Sequence, residues 1–130
     1  GTLTRDPGLW PMQGKSGAAR IALETRCPVI PVGQWGSQEV LPPYAKKPDL
    51  LPRKTVMMKA GDPVDLADLL DLPHTPALVQ EVTERLMEAL TVLVADLRGE
   101  PAPAERFDPR QAGVNPIGNP HDKPKRKPRR

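Results

Sequence analysis

Aromatic side chains are nearly missing from this 130-residue chain: two Trp, one Tyr and one Phe make up 3% of it. So few large apolar groups cannot fill a core along the whole length, and 18 prolines point the same way. Cysteine occurs once, as Cys27, which excludes an internal disulfide and a cysteine-built metal cluster and is compatible with a reducing compartment. No apolar run approaches the roughly 18 residues of a bilayer-crossing helix, and signal-peptide character is absent. An excess of one charge is also lacking over most of the chain. Residues 1–98 hold 11 Lys/Arg against 12 Asp/Glu, while 99–130 hold 8 against 4, so the net +3 belongs to the C-terminal stretch. The basic balance therefore says nothing about the partner of the folded part.

What is present sorts into one modest domain and a tail. Residues 1–15 read as loop, with Asp6-Pro7-Gly8 as a turn. "SGAARIALETR" follows, with Ser16 placed to cap a helix whose small first turn, Gly17-Ala18-Ala19, suits close approach to a sheet. "CPVIPVGQW" is short and almost wholly apolar, which favours a buried parallel strand. Four prolines make 36–54 an irregular excursion, and "TVMMKAG" is the next strand candidate. Asp65 is placed to cap a short helix over 66–71, with Asp68 completing a capping box. Thr75 as N-cap and Pro76 at the first helical position open the strongest helix. Its apolar positions Val79, Val82, Leu86, Leu90, Leu93 and Leu97 recur at helical spacing, and it closes near Gly99. Beyond that, seven prolines and the terminal "KPKRKPRR" read as a disordered Pro-rich basic tail over 99–130. The order of elements suggests an α/β domain over 1–98, the C-terminal part of a sheet-and-helix fold with its first strands missing. The chain starts at Gly1 rather than Met and reads as a fragment.

The stretch "GLWPMQGKSG" superficially looks like a phosphate-binding P-loop. Five residues separate Gly8 from Gly14 where the loop needs four, Pro11 removes a backbone donor, and no apolar strand precedes it. A nucleotide site is therefore not expected. Lys15 still sits just before a helix start, where backbone N–H groups and the dipole favour an anion, and Arg5 lies in the same loop. The alternative is that both are ordinary solvated cations. His74 at a helix entrance and His121 in the tail lack any paired catalytic partner in sequence and suit surface roles. Asp62, Asp65, Asp68 and Asp71 have the spacing of a turn and a helix start, so neither a metal nor another bound cofactor is expected. Met57 reads as core filler with Met58 its outward neighbour, and Cys27 as a small buried apolar residue. Trp10 and Trp35 flank the anion position, as packing groups or, for an exposed Trp10, at a membrane interface.

Three stretches in order, "GT" at 1–2, "KSGAA" at 15–19 and "PVIPV" at 28–32, resemble the glycerolipid acyltransferase family, in particular the 1-acyl-glycerol-3-phosphate (lysophosphatidic acid) acyltransferases. "GDPVDL" is similar to a further downstream segment of that family. The resemblance spans roughly residues 1–98 and implies a fatty-acyl transfer from acyl-CoA or acyl-carrier protein to lysophosphatidic acid, giving phosphatidic acid. It places Gly1, Thr2, Arg5, Lys15 and Gly17 around the acceptor phosphate, with Gly17 permitting close packing. Leu3 stands where the family carries Arg, leaving Arg5 as a displaced substitute. The family's catalytic His, followed five positions later by Asp, is not in this chain: Val79 follows His74 at that distance and Arg126 follows His121. The resemblance thus implies no catalytic residue here and no activity for the chain by itself. It also implies a peripheral enzyme on the cytoplasmic face of a membrane, with Lys123, Lys125, Arg126, Lys127, Arg129 and Arg130 against anionic lipid. The rival reading is a nucleic-acid or acidic-surface binding module acting through those same six cations, but no aromatic platform or reading helix supports sequence-specific binding.

Overall fold

The computed structural model describes residues 3–115. Its organiser is the helix opened by Thr75 and Pro76, preceded in the chain by two shorter helices and two strands: α1 (Gly17–Thr25), β1 (Val32–Trp35), α2 (Ser37–Val40), β2 (Met57–Ala60) and α3 (Pro76–Arg98). Thr75 is extended and its hydroxyl accepts from the Leu78 amide, so one orphan N–H at the helix start is satisfied. At the other end Gly99 turns left-handed (φ 66°) and its amide closes on the Ala95 and Asp96 carbonyls. Of the periodic positions Val82, Leu86 and Leu93 are buried and Val79, Leu90 and Leu97 only half-buried, while Leu78 and Val94, outside that series, are buried as well. The buried face also takes in two threonines. Thr83 and Thr91 donate their hydroxyls back to the Val79 and Met87 carbonyls, at 2.7 and 2.8 Å, and so enter the core without an unmet polar group.

α1 lays Ala19, Ala22 and Leu23 on α3, and Leu66 and Leu69 from the 65–71 turn complete the cluster. The small residues of α1 thus serve helix–helix contact rather than approach to a sheet. A Cβ on Gly17 would meet nothing within 4 Å, so this glycine allows no close packing. Ser16 does not cap either. Its backbone is nearly helical (φ −70°, ψ 0°), not extended, and its side chain makes no cap bond.

The two strands form an antiparallel pair with Val32 opposite Ala60 and Trp35 opposite Met57, not the buried parallel arrangement. Helix α2 is only four residues long, too short for the crossover that parallel strands need. Gly36 (φ 98°) instead begins an excursion over 41–55 that doubles the chain back. Pro28 and Pro31 lack amides, which postpones the ladder to Val32, although the Pro31 and Val29 carbonyls still accept from Gly61 and Val64. Gly33 lets the pair press on α3: an added Cβ would lie 2.9 Å from the Leu93 Cβ. Cys27, Met57 and Met58 are all exposed, against the expectation that Cys27 and Met57 are buried.

Residues 65–71 make turns rather than a helix. Asp65 accepts from the Ala67 amide, and Asp68 forms no capping box. Its carboxylate oxygens take two bonds from the Arg85 guanidinium, at 2.7 and 2.8 Å, which tie the turn to α3. Residues 100–115, expected to be unpacked, lie back along the molecule. Arg106 pairs with Glu84 and Glu88, Pro109 is buried, and the Phe107 carbonyl accepts from the Gln13 amide at 2.8 Å. The six cations of "KPKRKPRR" lie outside the described residues. Among those described, no helix is long and apolar enough to cross a membrane.

Near the end of α3, the Arg98 guanidinium sits over Trp10 at 4.0 Å and over Trp35 at 4.2 Å from the ring centroids. It also donates to the Gly8 carbonyl at 2.7 Å and to Glu100. Trp10 is buried here, so it is not an exposed membrane-interface group. Arg98→Lys keeps the charge but loses the planar stacking surface and the fork of donors. It is expected to lower unfolding free energy by about 1–3 kcal/mol, read from urea midpoints.

Hydrogen bonding from Arg85 holds Asp68 below its ordinary value of 3.8. A carboxylate with a depressed folded-state pKa contributes stability above its unfolded pKa and loses it as pH falls through the folded value. Urea midpoints of the wild-type chain should therefore fall as the pH drops below the ordinary Asp value of 3.8. Asp68→Asn should start lower and show a shallower acid limb. An unchanged limb would place the acid sensitivity elsewhere.

Candidate functional site

The loop that leads into α1 is held against α3 before it reaches Lys15. Gly14 passes so close that an added Cβ would stand 2.6 Å from Met87 Cγ and 3.1 Å from Thr83 Cγ2. Gln13 is fixed twice, by its amide on the Phe107 carbonyl and by its side chain donating to Glu84 at 2.8 Å. This anchoring delivers Lys15 and Ser16 to the rim of a groove of about 880 Å³. The first half of α3 supplies one wall through Val79, Gln80 and Thr83. α1 supplies Arg20, Leu23 and Glu24, and the 108–110 segment closes the far side.

Charge inside the groove is mixed but unevenly committed. Glu84 is engaged by Gln13 and Arg106, Glu24 lies 3.6 Å from His74 Nδ1, and Asp108 accepts from the Arg110 amide. Among the described residues, neither Lys15 nor Arg20 nor Arg110 has an ion pair. The first amides of α1 lack a side-chain cap from Ser16, so donors remain at the end of the helix where Lys15 stands. Chemically the groove offers cations and backbone donors on one side, with half-buried Val79 and the edges of the buried Met12 and Leu23 beside them.

Of the residues singled out from the sequence, Lys15 lines this groove. Arg5 is not part of its lining. Its Nε donates to the Asn115 carbonyl at 3.1 Å and its guanidinium lies 5.0 Å from the centre of the Tyr44 ring. Gly17 is next to the rim without lining it, and Gly1 and Thr2 lie outside the described residues. Trp10 and Trp35 flank Arg98 near the far end of α3, not the anion position. His74 does border the groove, a placement that its sequence neighbours do not signal. Arg20 and Arg110 were not signalled either. Arg20 is readable in hindsight as one helical turn beyond Ser16, its amide bonded to the Ser16 carbonyl. Arg110 comes from a segment that composition assigns to a tail. Among the described residues, no group of three His, Cys, Asp or Glu side chains is placed to hold a metal ion.

No family model, curated protein or solved structure matches the chain.

Glu84 couples the loop to the C-terminal segment. Glu84→Gln keeps the shape but removes the charge that holds Arg106, and the wall formed by 106–110 should loosen. The expected result is a loss of about 1–3 kcal/mol, the scale of a charge-assisted bond, with faster hydrogen exchange at the Gln13 amide. Equal exchange rates in the two proteins would remove the coupling.

Proposed function

We propose that the groove beside α1 takes the phosphate end of a lysophospholipid, and that the chain is the acceptor-binding part of a glycerolipid acyltransferase of the lysophosphatidic acid type. The observation that carries this reading is that Lys15 and the uncapped start of α1 open onto a groove with apolar lining next to its cations. A phosphomonoester with a single acyl chain needs both features together: fixed N–H donors and a lysine for the head, and apolar surface for the chain. The resemblance of the motifs at 1–2, 15–19 and 28–32 to that family is what supports the reaction, transfer of a fatty acyl group from acyl-CoA or acyl-carrier protein to give phosphatidic acid.

In this reading Lys15 and the α1 amides hold the phosphate, and Arg20 adds a second cation to the same groove. Arg5 supports the loop through Asn115 and Tyr44 instead of touching the head group. The acceptor hydroxyl attacks the thioester carbonyl of the donor, the carbon–sulfur bond breaks and the CoA or carrier-protein thiol leaves with the proton, and the base that moves this proton is assigned to no residue of this chain. Peripheral residence on the cytoplasmic face, with the six C-terminal cations against anionic lipid, completes the proposal.

The test uses the full-length protein that contains this chain. Lys15→Ala is expected to lower kcat/KM for lysophosphatidic acid about 5- to 150-fold, equivalent to about 1–3 kcal/mol, and to act mainly through acceptor KM. With monoacylglycerol, which lacks the phosphate, the variant and the parent should be equally slow. Unchanged kinetics toward lysophosphatidic acid would remove the groove from the reaction.

A further inference from the structure

The excursion between α2 and β2 has no part in the groove, yet its side chains are arranged in a way that folding alone does not require. Residues 41–55 carry Lys46, Lys47, Arg53 and Lys54 against the single acid Asp49. The base of the excursion is closed. The Asp49 amide donates to the Val40 carbonyl at 2.7 Å, Lys54 Nζ lies 3.3 Å from the Asp49 carboxylate, and Tyr44 is engaged by Arg5. These ties use the acid and the one cation of the group that is turned inward.

What remains outside is of two kinds. Leu50 and Leu51, next to the tied Asp49, are 65% and 81% exposed, and Leu41 is 48% exposed. Lys46, Lys47 and Arg53 are exposed and, among the described residues, none of the three has an ion pair. The apolar character continues into β2. Lys59 reaches Asp96 on α3, so by strand alternation Met58 points away from the helix, and it is 68% exposed.

We infer that residues 41–55 are a membrane-contact loop, with Leu50 and Leu51 entering the acyl boundary of an anionic bilayer and Lys46, Lys47 and Arg53 at the phosphate level. Charge complementarity selects this occupant. Three outward cations ask for a surface of negative charge, and the exposed leucines between them ask for hydrocarbon a few ångströms deeper. A bilayer with acidic head groups presents that order of layers. A nucleic acid satisfies the cations and leaves the leucines in water. The contact is independent of what the groove holds and of the C-terminal cations.

The experiment uses the complete chain. Leu51→Cys in a Cys27→Ser background, labelled with an environment-sensitive fluorophore, is mixed with phosphatidylcholine vesicles with and without phosphatidylglycerol. The expected result is a blue shift with the anionic vesicles, together with quenching by nitroxides attached to the lipid chains. Leu50→Ser/Leu51→Ser should lower the vesicle-bound fraction constant about tenfold with an unchanged circular dichroism spectrum, since both side chains are outside the core. Co-sedimentation with anionic vesicles while the label keeps its emission in water would overturn the inference by placing the binding on another surface. Absence of vesicle binding would overturn it as well. A blue shift produced by raising protein concentration without lipid would overturn it by assigning the leucines to a second copy of the chain.

Discussion

A single guanidinium holds the far end of the molecule together. Arg98 comes from the last turn of α3, Trp10 from the N-terminal loop, Trp35 from the end of β1, and the Gly8 carbonyl from the turn before Trp10. Each stacked face is worth on the order of 1 kcal/mol, more when water is excluded, and the hydrogen bonds add to it. In a chain with four aromatic residues, two of them are spent on this one cation. Without large rings to fill a core, the fold uses the planar side chain as a filler that also satisfies backbone groups. From Leu3 to Ser16 the N-terminal loop forms no helix or strand of its own, so its course depends on this clamp and on the Thr4 and Asp6 bonds around Trp10.

The groove at the opposite end is built on the same plan from different chemistry. Three segments distant in sequence, 12–16, the first half of α3 and 106–110, meet around Glu84. Hydrogen bonds and ion pairs do here what stacking does at Arg98. Between the two ends the apolar cluster of Ala19, Ala22, Leu23, Leu78, Val82 and Leu86 supplies the bulk of the burial. Polar connections therefore set where the loops run, and apolar contact sets that the helices pack at all.

α3 was legible in the sequence because its signals are local: a cap, a proline at the first helical position, a repeating apolar face and a terminal glycine. β2 was legible for the same reason. The pairing direction of the strands was not, because it is decided by the 20-odd intervening residues and not by the apolar run itself. Asp68 fits the sequence pattern of a capping box begun by Asp65 and is claimed instead by Arg85, a residue 17 positions away whose reach no local pattern encodes. The packing of 100–115 was hidden by composition, since prolines and charges look alike whether they are solvated or laid against a helix. At the candidate site, Lys15 could be picked out from its place before a helix start. The partners that shape its surroundings, Gln13, Glu84 and Arg110, come together only through tertiary contacts.

α3 also acts as a ruler. Its 23 residues span about 35 Å at 1.5 Å per residue, with the groove along its first turns and the tryptophan slot at its last. Adding or deleting one residue between Glu84 and Arg98 would turn one end against the other by about 100° and leave each local pattern intact. The two ends are thus in phase only at this helix length. Substitutions can be absorbed along the exposed face of α3, but changes in its length between those points cannot.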